Sequence, residues 1–478
     1  ATIQAAINAA TSGDTVSVAA GTYTENINFN SKSLALIGAS AATTIIDGNN
    51  SGRVVVADNY QSNGSVLKNF TIQNGNANGT GYEGKGGGVN IFGVTMTMEN
   101  LIIRNNTSLS NGGGLFLGSG ADVTLSNSKI IGNSASSSGG GVHLFAWSEL
   151  SMSNVEITGN TTTHDGAGIY ANWDDNILTL VNCTVGGNTS SADNKYALYW
   201  EGDDNTLTIV NTIIWNPGLS SIYMDTDDGW DDQVINVAGS VIQGGIAGGI
   251  STDDAGNVDQ NISGMVTGQD PAFVNTSGGD YSIANSSGAI SVGVDQVTFS
   301  STTFTAPATD LAGNTRPNPA NTLLDAGAYE NINGIAGYTG DTWYVNASAG
   351  LAYGNGSATY PLREIQPAVE LAASGNTVYV APGTYTENVL LEGKDLSILS
   401  TGNRDNTIID ANGSGSPMTF RYNQGSLITS ATVLKGFTLQ NGGGSGGYGI
   451  YCYWSSPTLV DLNIKDNINV GTSNDDYG

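Results

Sequence analysis

Five aspartate pairs are the residues of this chain best placed by type to do chemistry: Asp174-Asp175, Asp203-Asp204, Asp227-Asp228, Asp231-Asp232 and Asp253-Asp254. Two carboxyl groups facing each other across a groove, one kept protonated by its surroundings, suffice for glycoside hydrolysis. Asp174, Asp203 and Asp227 are the candidates for that role. Their spacing favours another use. Taken at roughly one pair per rung, Asp174, Asp203, Asp227 and Asp253 recur at 29, 24 and 26 residues, a periodic column rather than a single constellation. Carboxylates stacked about 5 Å apart repel unless cations or water relieve them. The run from Asp225 to Asp232 is the best calcium site, with Asp225, Asp227, Asp228, Asp231 and Asp232 as oxygen ligands on one turn. The alternative for the same run is a solvated acidic edge.

A second series is aromatic. Asn90, Phe116, His143, Tyr170, Tyr199 and Tyr223 each follow a glycine-rich or small-residue segment at the same distance and are predicted to point outward from a strand. An exposed ladder of this kind can stack on sugar rings. It can equally stabilise itself by ring-on-ring packing. Trp147, Trp173, Trp200 and Trp230 recur at 26, 27 and 30 residues. Trp147 and Trp173 are expected in the turn beyond the aromatic strand and join the glycan-binding candidates, whereas Trp200 falls at an inward position.

The elements that position both series repeat with them. One asparagine marks each copy at Asn69, Asn100, Asn127, Asn154, Asn182 and Asn211, a period of 27 to 31 residues. A second follows at Asn74, Asn105, Asn133, Asn160, Asn188 and Asn216, and glycine clusters such as Gly112-Gly113-Gly114 open the next copy. Such a period signals stacked supersecondary units. Within a copy, Leu115-Phe116-Leu117, Val123-Thr124-Leu125 and Ser128-Lys129-Ile130 alternate with period two, which reads as strand. Three strands in about 27 residues predict an all-β parallel β-helix, because no single rung can bury its apolar face alone. Asparagine tolerates the left-handed bends and its amides can stack as a ladder.

A longer repeat contains these rungs. IQAAINAATSGDTVSVAAGTYTEN at 3–26 returns as IQPAVELAASGNTVYVAPGTYTEN at 365–388. The domains expected are a β-helix unit at 1–330, a linker at 331–341 and a second homologous unit at 342–478. Residues 269–330 are expected as irregular final coils. The first copy lacks the lead-in at 341–364, and the chain is expected to be a window on a tandem array. Ile3, Ala6, Ile7 and Ala10 fall at helical spacing and predict a short amphipathic helix capping the first coil.

Composition narrows the partners. The net charge is −28 with only 14 basic residues, which argues against nucleic acid, anionic membranes and anionic polysaccharides. Charged residues are 12% of the chain, fewer than the usual quarter or so, as suits a secreted solenoid. Of the two cysteines, Cys183 lies at an inward position and reads as a small buried hydrophobe. No stretch is apolar enough to span a membrane.

The IQAAI…GDTV…GTYTEN opening resembles the right-handed parallel β-helix superfamily, the pectate-lyase-like fold. Rungs such as Asn133–Gly141 resemble the polymorphic outer-membrane-protein repeats of bacterial surface proteins. DPAFVN and LLDAGAYE are similar to closing segments of large secreted β-helix proteins of Bacteroidetes-type bacteria. The resemblance covers nearly the whole chain and implies a right-handed solenoid exported to the cell surface. It implies no single activity, since the fold hosts lyases, hydrolases, esterases and adhesins. The marks of its enzymes are missing. His143 and His164 are the only histidines and neither lies in Gly-His-Gly; Arg53, Arg104, Arg316, Arg363, Arg404 and Arg421 are scattered; no Lys/Arg pair suits an acidic sugar. The expectation is a secreted or cell-surface adhesin, surface-coat or matrix component that meets glycans, other copies of the array, or the surface and secretion machinery. The alternatives are a polysaccharide-degrading enzyme and a passive spacer.

Overall fold

Inward residues of successive coils pair one for one. In the middle of the chain Leu115, Val142, Ile169 and Leu198 stack in parallel register, as do Leu117, Leu144, Ala171 and Trp200. All eight are buried, and so are Val123, Leu125, Ile130 and Val185 from the other walls of the tube. The computed structural model is a parallel β-solenoid with about 27 residues per turn, and it describes residues 2–58, 64–193, 195–226, 233–252, 258–349, 354–423, 425–444 and 446–469. Columns of Leu, Ile and Val supply the dry interior that a lone rung lacks.

The three runs expected from the alternation are strands, the second and third separate in coils such as Thr95–Glu99 with Ile102–Arg104 and Ile177–Val181 with Thr184–Gly186. In other coils they fuse, as in the ten-residue strands Asp122–Ile131 and Glu149–Thr158. A single left-handed asparagine bends each of these, Asn127 at φ 49° and Asn154 at φ 52°. The structure adds a fourth strand, the two-residue Ser134–Ala135 and its equivalents, too short for alternation to reveal.

The asparagines divide the work by position. Asn69, Asn100, Asn127, Asn154, Asn182 and Asn211 all have positive φ. Their amides join in pairs along the axis, with Asn100 Nδ2 donating to Asn69 Oδ1 at 3.1 Å and Asn154 Nδ2 to Asn127 Oδ1 at 3.1 Å. The second series needs correction at its start. Asn74 and Asn105 take the left-handed bend, a place held by Gly132, Gly159 and Gly187 in later coils. The buried ladder stands one residue further on. Asn106, Asn133, Asn160, Asn188 and Asn216 connect through amide bonds of 2.9–3.0 Å. The adjacent Gly114 is required by close approach, because a Cβ there would lie 2.7 Å from Gly141 O and 2.9 Å from Asn133 Nδ2.

Helix α1, Ile3–Ala9, closes the first end. Glu25 accepts from the Ile3 and Gln4 amides at 2.7 and 2.9 Å. Lys32 Nζ donates to the Ile7, Asn8 and Ala10 carbonyls. Opposite charges thus satisfy both ends of the helix, in the sense its dipole favours. The last long strand of the unit, Val258–Thr267, follows the short helix α2, Gly245–Gly249, and pairs with Gln233–Ile242.

Residues 289–331 are not final coils, contrary to expectation. They fold back along the bend carrying the first asparagine series. Asn211 Nδ2 donates to Val294 O at 2.8 Å and Asn154 Nδ2 to Thr309 O at 2.7 Å, while Ala328 N donates to Thr184 Oγ1 at 2.9 Å. The returning strap supplies partners for polar groups that it buries. Its clasp is a buried ion pair, Arg316 Nη1 to Glu330 Oε2 at 2.7 Å, with both side chains fully enclosed. Burial and the neighbouring Glu330 push Asp325 up to about 8. Residues 331–341, expected as a linker, are held by Asn331 Nδ2 on Ile283 O, before the strap, and by Ile335 N on Ser291 Oγ within it.

The second unit repeats the first. Helix α3, Ile365–Leu371, packs on Val258–Thr267 of the preceding unit, and Thr342–Val345 adds a strand beside Thr377–Val380.

Candidate functional site

The outward face of the wall built by Val89–Phe92, Leu115–Gly118, Val142–Phe145, Ile169–Asn172, Tyr196–Glu201 and Ser220–Asp225 carries two columns of side chains. Residues two apart on a strand share a face. One column is the aromatic series, Asn90 through Phe116, His143, Tyr170 and Tyr199 to Tyr223. Beside it run Phe92, Gly118, Phe145 and Asn172, and then Glu201 paired with Asp225.

Ring centroids along the aromatic column are 5.3 Å apart for Phe116 and His143, 5.1 Å for His143 and Tyr170, 5.5 Å for Tyr170 and Tyr199, and 5.2 Å for Tyr199 and Tyr223. The ladder exists, but its lower part is not exposed. Phe116 and His143 are completely buried. Tyr82, from the 3₁₀ turn Gly81–Gly84, sets its ring edge-on to Phe92 and Phe116. Lys85 lays its ammonium over Phe116 and Phe145 at 5.1 and 4.7 Å. The cation–π contact satisfies the lysine charge as burial lowers its pKa. Burial, reinforced by Lys85, holds His143 down at about 3, so it is a neutral ring whose Nε2 meets Asn172 Oδ1 at 2.9 Å. Phe116 and His143 therefore make no contact with a ligand in this arrangement.

The upper part is half-buried and acidic. Tyr170 donates its phenol to Glu201, and Tyr199 donates to Asp225 Oδ2 at 2.5 Å. Burial and those carboxylates raise both phenols well above the ordinary tyrosine value. Tyr196 packs on Tyr223 at 4.7 Å and edge-on to Tyr199 at 5.7 Å. Asp165, from the loop below Gly166, is raised by burial and by the charge of Glu201, and its Oδ1 is buried without a hydrogen-bond partner. Glu201, Asp165 and Tyr196 were not singled out from the sequence. The signal for Glu201 was parity, since it lies two residues beyond Tyr199 as Asp225 lies two beyond Tyr223.

Trp147 and Trp173 stand in the turn beyond this wall on consecutive coils, 60% and 59% exposed. Both are left-handed, with φ of 57° and 68°. Trp454, in the second unit, follows the corresponding strand Tyr451–Tyr453 with φ 47° and is 71% exposed. Trp200 is inward and buried, as the alternation predicts. In the same turn Asp174 Oδ1 accepts from the Asp203 amide at 3.3 Å, so consecutive acidic turns are stitched through the backbone. Asp227, Asp228, Asp231 and Asp232 lie outside the described residues, as do Trp230, Asp253 and Asp254. Of the predicted calcium ligands only Asp225 is described, and it serves Tyr199. Among the described residues no three His, Cys, Asp or Glu side chains converge as metal ligands would. Cys183 is buried and Cys452 exposed, both free.

No protein-family model and no curated protein matches the chain. Among solved structures it is similar to that of a PL6 family alginate lyase, AlyGC. The two are 11% identical over 96% of this chain and 76% of that one, with a TM-score of 0.22. Likeness at that level carries no information about substrate.

Proposed function

We propose that the chain is a secreted or cell-surface solenoid that holds neutral glycans against the exposed tryptophans beside its aromatic face. The observation that carries this reading is the pair of exposed tryptophans in left-handed turns. A bulky residue in that region costs about 1–2 kcal/mol, a cost that Gly in the same turn, as at Gly202, avoids. Two indoles held outward on the adjacent coils of His143 and Tyr170 form a ledge on which sugar faces stack. Glu201 and Asp225 add hydrogen-bond acceptors for hydroxyls and disfavour uronates. Repetition along a solenoid lets weak contacts add by avidity. The test is a glycan array with the intact chain and with Trp147→Ala/Trp173→Ala. Binding of neutral glycans that falls at least about tenfold in the double variant, worth ~1.4 kcal/mol, supports the reading. Binding unchanged by the double variant removes it.

A second reading, a polysaccharide hydrolase at the same face, is favoured by Asp165. Its buried, unpartnered Oδ1 and raised pKa, with the Glu201 carboxyl nearby, are the disposition of a general acid. Release of reducing ends from a bound glycan, abolished by Asp165→Asn, would establish it.

A further inference from the structure

We infer that the outer face of α1, together with the free edge of the strand Thr15–Val18, is a docking surface for the terminal coil and lead-in strand of another unit of this kind. The inference rests on an interface already present in the chain. Residues 365–380 repeat 3–18 at an offset of 362, and there both surfaces are covered. The outer residues of α3, Pro367 and Ala368, are buried against Val258–Thr267. Their counterparts on α1, Ala5 and Ala6, are exposed, as is Ala9 opposite Leu371. Each replacement is the same size or smaller, so a coil that fits α3 meets no obstruction on α1.

The strand edge gives a second, separate match. Thr377–Val380 is covered by Thr342–Val345, with Thr377 N donating to Asp341 O at 3.0 Å and Ala381 N to Val345 O at 2.9 Å. The equivalent strand Thr15–Val18 ends its sheet, and among the described residues nothing pairs with its outer edge. An open edge beside an exposed apolar helix face is what a single occupant, the coil Val258–Thr267 with the strand Thr342–Val345 of another unit, would fill at once. Stack continuity in the second unit shows how: helix on terminal coil, lead-in strand on first strand.

Three substitutions set the electrostatics of the proposed contact apart from its model. At the junction, Glu364 accepts from Thr267 Oγ1 at 2.7 Å and Gln269 Nε2 at 2.8 Å, and Glu370 is half-buried. In α1 these places hold Thr2, which caps the helix through Ala5 N, and Asn8, which is neutral. Docking on α1 therefore brings two carboxylates to the contact, Glu25 and Asp14 in place of Asn376, where docking on α3 brings Glu387, Glu364 and Glu370.

The proposal is independent of the glycan reading, since none of its residues lies on the aromatic face. The test sets residues 1–362 once more ahead of the whole chain, preserving the offset, and follows α1 of the internal copy. In a Cys452→Ser background, Ala6→Cys in that copy reports access to a maleimide. Labelling slower by about tenfold or more than for Ala6→Cys in the 478-residue chain is expected, as for a site opened only by undocking. Equal rates overturn the proposal. Should Ala6→Cys itself obstruct docking, amide exchange in the unsubstituted doubled chain decides. Protection of Thr15 and Ala19 supports the contact, and exchange as fast as in the single chain overturns it.

Discussion

Helices α1 and α3 are the same device in two settings. Each lies on the first coil of its unit with a glutamate at its N-terminus and a lysine at its C-terminus. Glu25 and Glu387 both accept two amides, at 2.7 and 2.9 Å and at 2.8 and 2.9 Å. Gln4 and Gln366 both exchange hydrogen bonds with the backbone of a neighbouring strand, at Asn28 and Leu390. Lys32 and Lys394 both close the last turn. The local wiring survives a change from water to protein on the outer side. What changes is the state of the charges. At α3, burial with the Glu364 carboxylate alongside pushes Glu387 up to about 8, against the pull of its two amide donors. Burial likewise pushes Glu370 to about 7, opposed by Lys394, whose own pKa burial lowers. The comparison teaches that helix capping is a property of each unit and that pH sensitivity is a property of the junction.

The strongest way to break this comparison is to remove the glutamates. Glu387→Ala leaves two buried amides without an acceptor and is expected to destabilise the second unit by about 3 kcal/mol. Glu25→Ala exposes its amides to water and should cost only about 1 kcal/mol. Urea titration followed by the buried Trp343 for the first, and amide exchange of residues 3–10 for the second, separates the two; equal losses would mean that the settings do not matter.

Next in size is the pH response. A folded-state pKa above the free value of 4.5 means that the folded form binds the proton more tightly. The stabilisation is therefore complete below pH 4.5 and is lost as pH climbs through 7 to 8. At roughly 1.4 kcal/mol per unit, the Trp343-reported midpoint should fall by several kcal/mol between pH 4.5 and 9, and Glu370→Gln should flatten the lower part of that fall. Helix α1 has Asn8 in place of Glu370, so the part of the fall that Glu370→Gln removes has no counterpart there. Lys394→Met and Lys32→Met test the other end. Each strips donors from helix carbonyls and should cost about 1–2 kcal/mol, the larger loss falling at Lys394, where the carbonyls are less hydrated. The smallest effect is expected from Ala9→Leu, which makes α1 resemble α3 on a solvent-facing position. It should change stability by less than about 0.5 kcal/mol, while Leu371→Ala at the junction should cost more.

The aromatic wall shows how far reading by residue can go. Alternation placed Phe116, His143, Tyr170, Tyr199 and Tyr223 correctly on one outward column and put Trp200 inside. It had no means of seeing that Tyr82 and Lys85 would lie over Phe116, because that cover comes from a turn one coil earlier with no periodic counterpart. The strap was missed for the same reason. Residues 289–331 carry blocks of sequence that match coil endings, and only their partners, Asn154, Thr184 and Asn211, reveal that they run back over finished coils.

The sequence by itself determined the period, the inward and outward parity of each strand, the left-handed asparagine bends and the capping helices. These depend on neighbours one coil away or a few residues along, where spacing alone dictates contact. Only the tertiary structure decided which outward residues stay exposed, where the strap lies, and that α3 rests on the coil before it. Those outcomes follow from surfaces that meet after the coils have formed, and burial between such surfaces, not local pattern, sets the exposure of Trp173, the neutrality of His143 and the raised pKa of Glu387.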